Sequence, residues 1–336
     1  MRLSVVGAVA PVVVTVVASS VLLVPPTPAG AHSSSTPTTA SGLAPVGPGE
    51  TTVTYCDDGG VAETLDVYEP NPLPSTRVPV IVYVHGGGWV QGDSAISSGS
   101  LVGQLARTIE ARGWVFVSID YRLAPRFRWP AQIDDAACAV RFLRAASSAL
   151  HIDPGAVGAI GDSAGGQIVS LLALDPRGAG AGADAYADQS SGVQAVVDLY
   201  GPADLTTPDW AHAPLIQVYA PEVFGTTLGP GSAGTPAAHV LVTASPITYV
   251  GEDAPAFLVV QGEEDSVVPP DQSAELVTRL RDAGDSATLV LVHHAQHGLL
   301  PVAGGPVTPG ISTLAVEAAA FLVQHLRPKS PHPSRR

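Results

Sequence analysis

Ile160-Gly161-Asp162-Ser163-Ala164-Gly165-Gly166 is the stretch of sequence that decides the fold. Apolar residues 156–160 precede it, and small, helix-compatible residues follow it as far as position 174. The G-x-S-x-G pattern is typical of a sharp strand-to-helix turn that lifts a serine hydroxyl to the top of a sheet. A glycine-rich turn with a serine also occurs without any chemistry, so the rest of the chain has to decide between the two interpretations.

The segments around this turn alternate between strand-like and helix-like patterns. Residues 51–55 and 61–69 alternate apolar and polar side chains across an Asp-Asp-Gly-Gly turn, which predicts an antiparallel hairpin. Continuous apolar runs, typical of strands buried on both faces, occupy 80–84, 115–119, 156–160, 193–199, 256–260 and 288–292. Helices are predicted over 97–112, 131–148, 164–174, 271–283 and 312–326. The order predicts an α/β fold with an eight-stranded, mostly parallel sheet and helices on both faces.

The two ends of the chain differ in composition from its middle. Arg2, an apolar stretch over residues 5–24 and Ala29-Gly30-Ala31 predict a signal peptide over 1–31 and a secreted protein. An uncleaved membrane anchor is the alternative, because the apolar stretch approaches spanning length. Residues 32–50 read as a flexible linker, 51–328 as the catalytic domain and 329–336 as a disordered tail. No later segment is apolar enough to span a membrane.

The net charge and the cysteine content limit the partners and the cross-links that this chain can have. The net charge of −14 without a basic stripe argues against nucleic acid as a partner. Cys56 and Cys138 are the two cysteines, which permits one disulfide in an exported protein; two unpaired buried thiols are the alternative. Two cysteines are too few for a zinc framework by themselves.

A serine nucleophile needs a histidine base and a carboxylate that orients it. Asp265 follows one predicted strand and His297 follows the next, so both fall at the edge of the sheet where Ser163 is expected. Glu263 and Glu264 adjoin the aspartate, and His293 and His294 precede the second loop. The acid is expected three residues after a glycine, which selects Asp265, while the two earlier histidines are still at the strand end.

The loop His85-Gly86-Gly87-Gly88-Trp89 comes directly after the predicted strand over 80–84. Such a glycine run places backbone N–H groups where an acyl oxyanion develops, because no side chains stand in the way. We expect the oxyanion hole to consist of Gly86, Gly87 and Ala164. Trp89 either lines a small substrate-binding acyl pocket or packs into the core.

Residues 203–245 interrupt the strand–helix rhythm. The segment is too long for an ordinary connection and too apolar for a solvated linker. It is either a local extension packed on the core or a small lid over the carboxyl ends of the strands, where open α/β sheets bind ligands.

These motifs together resemble a known family. The loop at 85–89, Asp120-Tyr121-Arg122-Leu123-Ala124-Pro125, the turn at 161–165, Asp265 and His297-Gly298 resemble the hormone-sensitive-lipase-like α/β-hydrolase carboxylesterases and the related BD-FAE (feruloyl/acetyl-esterase-like) branch. The resemblance covers residues 51–326. It implies an α/β-hydrolase fold and the hydrolysis of carboxylic esters without a metal or organic cofactor. Typical hormone-sensitive-lipase-like members build part of a helical cap from an N-terminal segment, whereas the region before residue 85 is predicted here to be a strand hairpin and a disordered tail, which favours the smaller-capped branch.

The resemblance leaves the substrate open. Short-chain acyl esters are the first expectation, either as small molecules or linked to a polysaccharide. An arylformamidase or amidase is the alternative reaction, and a non-catalytic surface-binding protein with the same fold is the alternative of a different class. The oligomeric state has no signature in the sequence.

Overall fold

A computed structural model describes residues 49–58, 60–175, 185–207, 214–225, 236–302 and 305–326. The side chains of 49, 214–216 and 236–238 are outside this description. The predicted signal peptide, the predicted tail and nearly all of the predicted linker also lie outside it. Residues 49 and 50, which were assigned to the linker, already belong to the first strand.

Eight strands form one sheet. They are β1 (Gly49–Asp58), β2 (Val61–Glu69), β3 (Val78–Val84), β4 (Val115–Ile119), β5 (Ile152–Asp162), β6 (Ala195–Leu199), β7 (Ala256–Gly262) and β8 (Ala287–Val292). Their order is β1-β2-β4-β3-β5-β6-β7-β8. β1 pairs with β2 and β2 with β4 in antiparallel fashion, and the remaining neighbours pair in parallel. The predicted α/β-hydrolase sheet is confirmed, including the hairpin.

Seven helices belong to the described residues. They are α1 (Leu101–Glu110), α2 (Ala131–Ala145), α3 (Ala164–Leu174), α4 (Pro214–Phe224), α5 (Pro236–Thr243), α6 (Pro270–Asp282) and α7 (Ile311–His325). Short 3₁₀ turns occupy Pro246–Tyr249 and His297–Leu299. None of the helices in the described part of the chain has the length and hydropathy needed to cross a membrane.

The sheet is buried on both faces, which explains its unbroken runs of β-branched residues. In β3, Val80, Val82 and Val84 pack in one core, whereas Ile81 and Tyr83 pack in the other. Helices α2, α3 and α6 cover the first core, and α1 and α7 cover the second. Because the central strands are held from both sides, the residues at their carboxyl ends rest on a rigid support.

The hairpin is fastened to helix α2. A disulfide joins Cys56 of β1 to Cys138 of α2, with the two Cα atoms 6.5 Å apart, and confirms the predicted pairing. Arg122 reinforces the same junction through ion pairs with Asp58 at 2.8 Å and with Asp135 at 2.6 Å. The edge of the sheet is thereby tied to the helix that packs on its face.

The predicted insertion at residues 203–245 contains α4 and α5, while its segments 208–213 and 226–235 lie outside the described residues. Ala220, Val223 and Phe224 of α4 are buried, and Trp129 donates its backbone N–H to the carbonyl oxygen of Val223 at 3.0 Å. The described part of the insertion is therefore packed on the main core, with α4 beside the loop that follows β3.

Candidate active site

Ser163 lies at the turn between β5 and α3 in a strained backbone conformation. Its φ and ψ angles are 52° and −117°, in a region that residues with side chains rarely adopt. Its backbone N–H donates to the carbonyl oxygen of Leu199 at 2.8 Å, which anchors the turn to β6. The strained turn directs the serine side chain away from the helix and into a cavity that Ser163 lines.

Glycines permit the close packing of this turn. A Cβ atom at Gly161 would collide with the carbonyl oxygen of Gly165, and one at Gly165 would collide with the carbonyl oxygen of Val84. Both positions therefore need a residue without a side chain, because the obstructing atoms are backbone and have no freedom to move aside. The glycines of the sequence motif are explained by sterics at the junction of β3, β5 and α3.

Two hydrogen bonds connect Ser163, His297 and Asp265. The Ser163 Oγ lies 2.9 Å from the His297 Nε2, and the His297 Nδ1 lies 2.8 Å from the Asp265 Oδ2. Asp265 follows β7 and His297 follows β8, so three different strand ends supply the three side chains. The structure thus brings together all three residues that the sequence nominated for nucleophile, acid and base.

The Asp265 carboxylate is fixed by its own loop. Its Oδ1 accepts the backbone N–H groups of Val267 at 2.8 Å and Val268 at 2.9 Å. Its Oδ2 accepts from the Gln261 side-chain amide at 3.1 Å in addition to facing His297. The side chain is completely buried. A buried carboxylate held in this way has one orientation and keeps the neighbouring imidazole in the tautomer with its proton on Nδ1.

The glycine loop after β3 differs from the sequence prediction in one residue. The Gly86 N–H donates to the Asp162 Oδ1 at 3.0 Å and is already engaged. A Cβ atom at Gly86 would also lie 2.5 Å from the Asp162 Oδ2, so the two residues are in tight contact. The Gly86 N–H, which the sequence predicts as an oxyanion donor, thus holds the loop in place through Asp162.

Gly87 and Gly88 are the glycines of this loop that line the cavity. Their φ angles are 108° and 62°, which a residue with a side chain adopts only with strain. The Gly87 carbonyl oxygen accepts the N–H groups of Val90 and Gln91, each at 3.2 Å, and this turn fixes the loop. Ala164 is the first residue of α3, where a helix leaves its N–H groups without an intrahelical acceptor.

Asp162 and Tyr83 form a buried support behind the loop. The Tyr83 hydroxyl donates to the Asp162 Oδ1 at 2.7 Å, the oxygen that also accepts from Gly86. Burial raises the pKa of the Asp162 carboxyl above its ordinary value. This role of Asp162 has no signature in the sequence, because only the three-dimensional contact with Gly86 reveals it.

The cavity above Ser163 has a volume of about 230 Å³. Its lining is mostly apolar, and it consists of Gly87, Gly88, Trp89, Gln91, Asp162, Ser163, Tyr200, Pro202, Tyr219, Val267, Val268, His297 and Gly298. This volume is smaller than that of pockets that bind drug-sized ligands, which have about 300–1,000 Å³, so the cavity suits a small group. No cluster of three or more metal-ligating side chains occurs among the residues that the structure describes.

Trp89 combines the two alternatives that the sequence left open. It lines the cavity, yet only 2% of its surface is exposed. Its indole N–H donates to the Gln167 side-chain oxygen at 3.0 Å, and its ring packs edge-on against Phe224 with centroids 5.3 Å apart. Gln167 in turn donates to the Ala244 carbonyl oxygen at 2.6 Å. Trp89 and Gln167 therefore link the glycine loop and helix α3 to the insertion.

The rival residues near the site lie outside it. His293 pairs with Glu263 at 2.7 Å, and His294 lies 3.7 Å from Glu264, with all four side chains at the surface. None of these four residues lines the cavity. Their placement outside the cavity is consistent with the expectation from the sequence that Asp265 and His297 are the acid and the base.

Comparisons with known proteins agree with this architecture. Residues 65–280 match the family model described as BD-FAE. Esterase LipC of Mycobacterium tuberculosis is 33% identical over 268 residues, which covers 79% of this chain and 63% of the relative. Esterase LipQ of the same organism is 33% identical over 244 residues, covering 70% of this chain and 55% of the relative. The matches thus span less than two thirds of the relatives' length.

Two solved structures of esterases have a similar fold. An esterase of the Planctomycetes species Thermogutta terrifontis with bound propionate superposes with a TM-score of 0.66 at 23% identity, covering 84% of this chain and 97% of that one. A truncated carbohydrate esterase from gut microbiota gives a TM-score of 0.63 at 24% identity, covering 83% of this chain and 99% of that one. At these identities the comparison shows a common fold.

Proposed function

This chain belongs to the BD-FAE family, and from that membership we propose that it is a serine hydrolase that cleaves carboxylic esters with short acyl groups. The observation that carries the proposal is the chain of hydrogen bonds from Asp265 through His297 to Ser163, at the wall of a small cavity. The relatives LipC and LipQ, both esterases, support ester hydrolysis as the reaction.

In the proposed mechanism His297 acts first as a base. Its Nε2 accepts the Ser163 hydroxyl proton while Oγ attacks the ester carbonyl carbon, and the imidazole becomes positively charged. Asp265 stabilises that charge and keeps the ring in place through the 2.8 Å contact with Nδ1. The proton then passes from Nε2 to the departing alkoxide, the ester bond breaks, and an acyl-serine remains. A water molecule then gives a proton to His297 and attacks the acyl carbon. The bond between this carbon and the Ser163 Oγ breaks, Oγ takes the proton from His297, and the carboxylic acid is released.

The negative charge on the carbonyl oxygen requires fixed donors. We assign these to the backbone N–H groups of Gly87, Gly88 and Ala164, with Gly88 in the place that the sequence had given to Gly86. The first two are supported by their position in the cavity wall, and Ala164 by its place at the start of α3 beside the nucleophile. Such donors act in a site that needs no reorganisation during the reaction, which makes them effective.

Substrate size follows from the cavity. A volume of about 230 Å³ with an apolar lining fits a short acyl group and a small alcohol. The propionate bound to the structurally similar Thermogutta terrifontis esterase supports a short acyl group. Acetyl groups on a polysaccharide are a narrower version of the same proposal, for which the family and the gut carbohydrate esterase give support.

A series of p-nitrophenyl esters from acetyl to palmitoyl tests this proposal, with wild type and Ser163→Ala measured in parallel. We expect activity to be highest for acetyl to butyryl esters and to fall about 10³-fold or more in the variant. Equal activity of both proteins would reject Ser163 as the nucleophile. Turnover of formanilide or p-nitroacetanilide in preference to the esters would favour the amidase alternative. Binding of these compounds without any turnover would favour a binding protein.

We also propose that the protein is exported and acts outside the cytoplasm. The apolar stretch over residues 5–24 with its Ala29-Gly30-Ala31 site and the Cys56–Cys138 disulfide support this location. The intact mass of the protein recovered from the culture medium checks the proposal. We expect the mass of a chain that has been cleaved after Ala31. A full-length protein that is confined to the cytoplasm would contradict the proposed export.

A further inference from the structure

Tyr219 brings the insertion into direct contact with the glycine loop. It lies on α4, one residue before Ala220, and it lines the cavity together with Gly87 and Gly88. A Cβ atom at Gly88 would lie only 2.6 Å from Cδ2 and 2.8 Å from Cε2 of the Tyr219 ring. The ring therefore rests on the backbone of Gly88, in space that any side chain at position 88 would occupy.

Helix α4 holds this ring in a fixed place. Val223 is completely buried and Ala220 nearly so, and these residues share the side of the helix that faces the core with Phe224. Phe224 packs against Trp89 at 5.3 Å and against Trp129 at 5.8 Å between ring centroids. An anchored helix of this kind makes Tyr219 a rigid wall of the cavity, which is what chain-length discrimination requires.

The reaction geometry identifies the substrate group that meets this wall. In the tetrahedral intermediate the departing oxygen faces His297, because it takes a proton from Nε2, and the oxyanion faces the N–H groups of Gly87, Gly88 and Ala164. The acyl chain is left with the remaining wall of the cavity, to which Tyr219 belongs. We propose that Tyr219 closes the acyl side of the cavity and sets the maximum acyl length, an inference that rests on the proposed esterase function.

Two ester series separate the acyl side from the alcohol side. The first varies the acyl group from acetyl to decanoyl with p-nitrophenol as the constant alcohol, and the second varies the alcohol from methyl to hexyl with acetate as the constant acid. In Tyr219→Ala we expect kcat/KM for octanoyl relative to acetyl esters to rise about tenfold or more, since each methylene admitted to an apolar pocket contributes strongly to binding. The alcohol series is expected to keep the wild-type profile.

Matched variants control for changes in folding. Tyr219→Phe retains the ring on Gly88 and is expected to keep the wild-type acyl preference. Val218→Ala alters the preceding residue of the same helix, whose side chain is 59% exposed, and is expected to change neither series. Tyr219→Leu, a smaller truncation, replaces Tyr219→Ala if the melting curve of the latter shows loss of folding. Its acyl profile is expected to shift in the same direction.

Three results would overturn the proposal. An unchanged acyl profile in the truncated variants, with activity that still depends on Ser163, would reject the role of Tyr219 alone. A shift in the alcohol series in place of the acyl series would place Tyr219 on the leaving-group side. A wild type without Ser163-dependent ester turnover would reject the esterase proposal and the acyl assignment with it.

Discussion

Two histidine–carboxylate pairs lie on the same two loops and differ in what surrounds them. His297–Asp265 and His293–Glu263 have nearly equal distances, 2.8 and 2.7 Å. The Asp265 side chain is fully buried and three donors besides His297 hold it, whereas 41% of the Glu263 side chain and 58% of the His293 side chain are exposed. A short acid–histidine contact alone therefore does not distinguish the proposed catalytic pair; burial of the carboxylate and the contact of His297 with Ser163 do.

In a third acid–histidine pair, Glu69 and His151, the carboxylate is buried but makes no hydrogen bond to the described residues. Glu69 at the end of β2 is fully buried, and His151 Nδ1 lies 3.8 Å away, beyond hydrogen-bond distance. Neither carboxyl oxygen of Glu69 has a hydrogen-bond partner among the described residues. Burial raises the pKa of Glu69 from 4.5 to about 7. Glu69 is thus buried without the donors that surround Asp265. Its neighbour Tyr68 pairs with Phe116 near the start of β4, whereas Ser163 follows the carboxyl end of β5.

The largest expected difference is between the two histidines. His297→Ala removes the proposed base, so we expect kcat for p-nitrophenyl acetate to fall roughly 10⁴-fold. His293→Ala breaks an exposed pair, which is worth little in water, and is expected to leave kcat within about twofold of wild type. Comparable losses in the two variants would break the distinction between the pairs.

The carboxylates give the second comparison. Asp265→Asn keeps the shape of the side chain but removes the charge and alters the tautomer of His297, and it is expected to lower kcat roughly 10³-fold. Glu263→Gln, the same chemical change at the surface, is expected to have an effect of less than about twofold. Steady-state kinetics of the two variants with p-nitrophenyl acetate decide the matter; an active Asp265→Asn enzyme would argue that another acid orients the base.

The third variant, Glu69→Gln, is expected to change stability without changing kcat. Because the pKa of Glu69 is raised in the folded state, the folded protein binds more protons than the unfolded one between pH 4.5 and about 7. The free energy of unfolding therefore falls as pH rises through this window, and the contribution of protonated Glu69 is fully present only below it. An amide that never ionises removes this loss, so the variant is expected to be more stable by about 1–3 kcal/mol near pH 8 and similar to wild type near pH 4.

Urea unfolding of wild type and Glu69→Gln across this pH range measures the difference. Glu264→Gln is the control, because it makes the same chemical change on a side chain that is 48% exposed. Parallel stability curves for wild type and Glu69→Gln would show that Glu69 is ionised in the folded protein at little cost, through solvent or a partner that reaches it.

Most of the site was predictable because its residues act through local motifs. The turn around Ser163 requires glycines at fixed positions, and Asp265 and His297 each follow a strand whose apolar pattern is clear. The role of Gly86 was not predictable, since its N–H is engaged by Asp162 only when β3 and β5 lie side by side. The contact of Tyr219 with Gly88 joins residues more than a hundred positions apart, on an insertion with no periodic pattern. The sequence permits the Cys56–Cys138 disulfide but also two unpaired thiols, and the structure confirms the disulfide.

Fluorophosphonate labelling followed by peptide mass spectrometry tests the central claim most directly, namely that His297 activates Ser163 and the exposed pairs do not. We expect a single adduct on Ser163 in wild type and in His293→Ala, formed at similar rates. In His297→Ala we expect labelling to be slower by orders of magnitude. An adduct on a different serine, or labelling of His297→Ala at the wild-type rate, would contradict it.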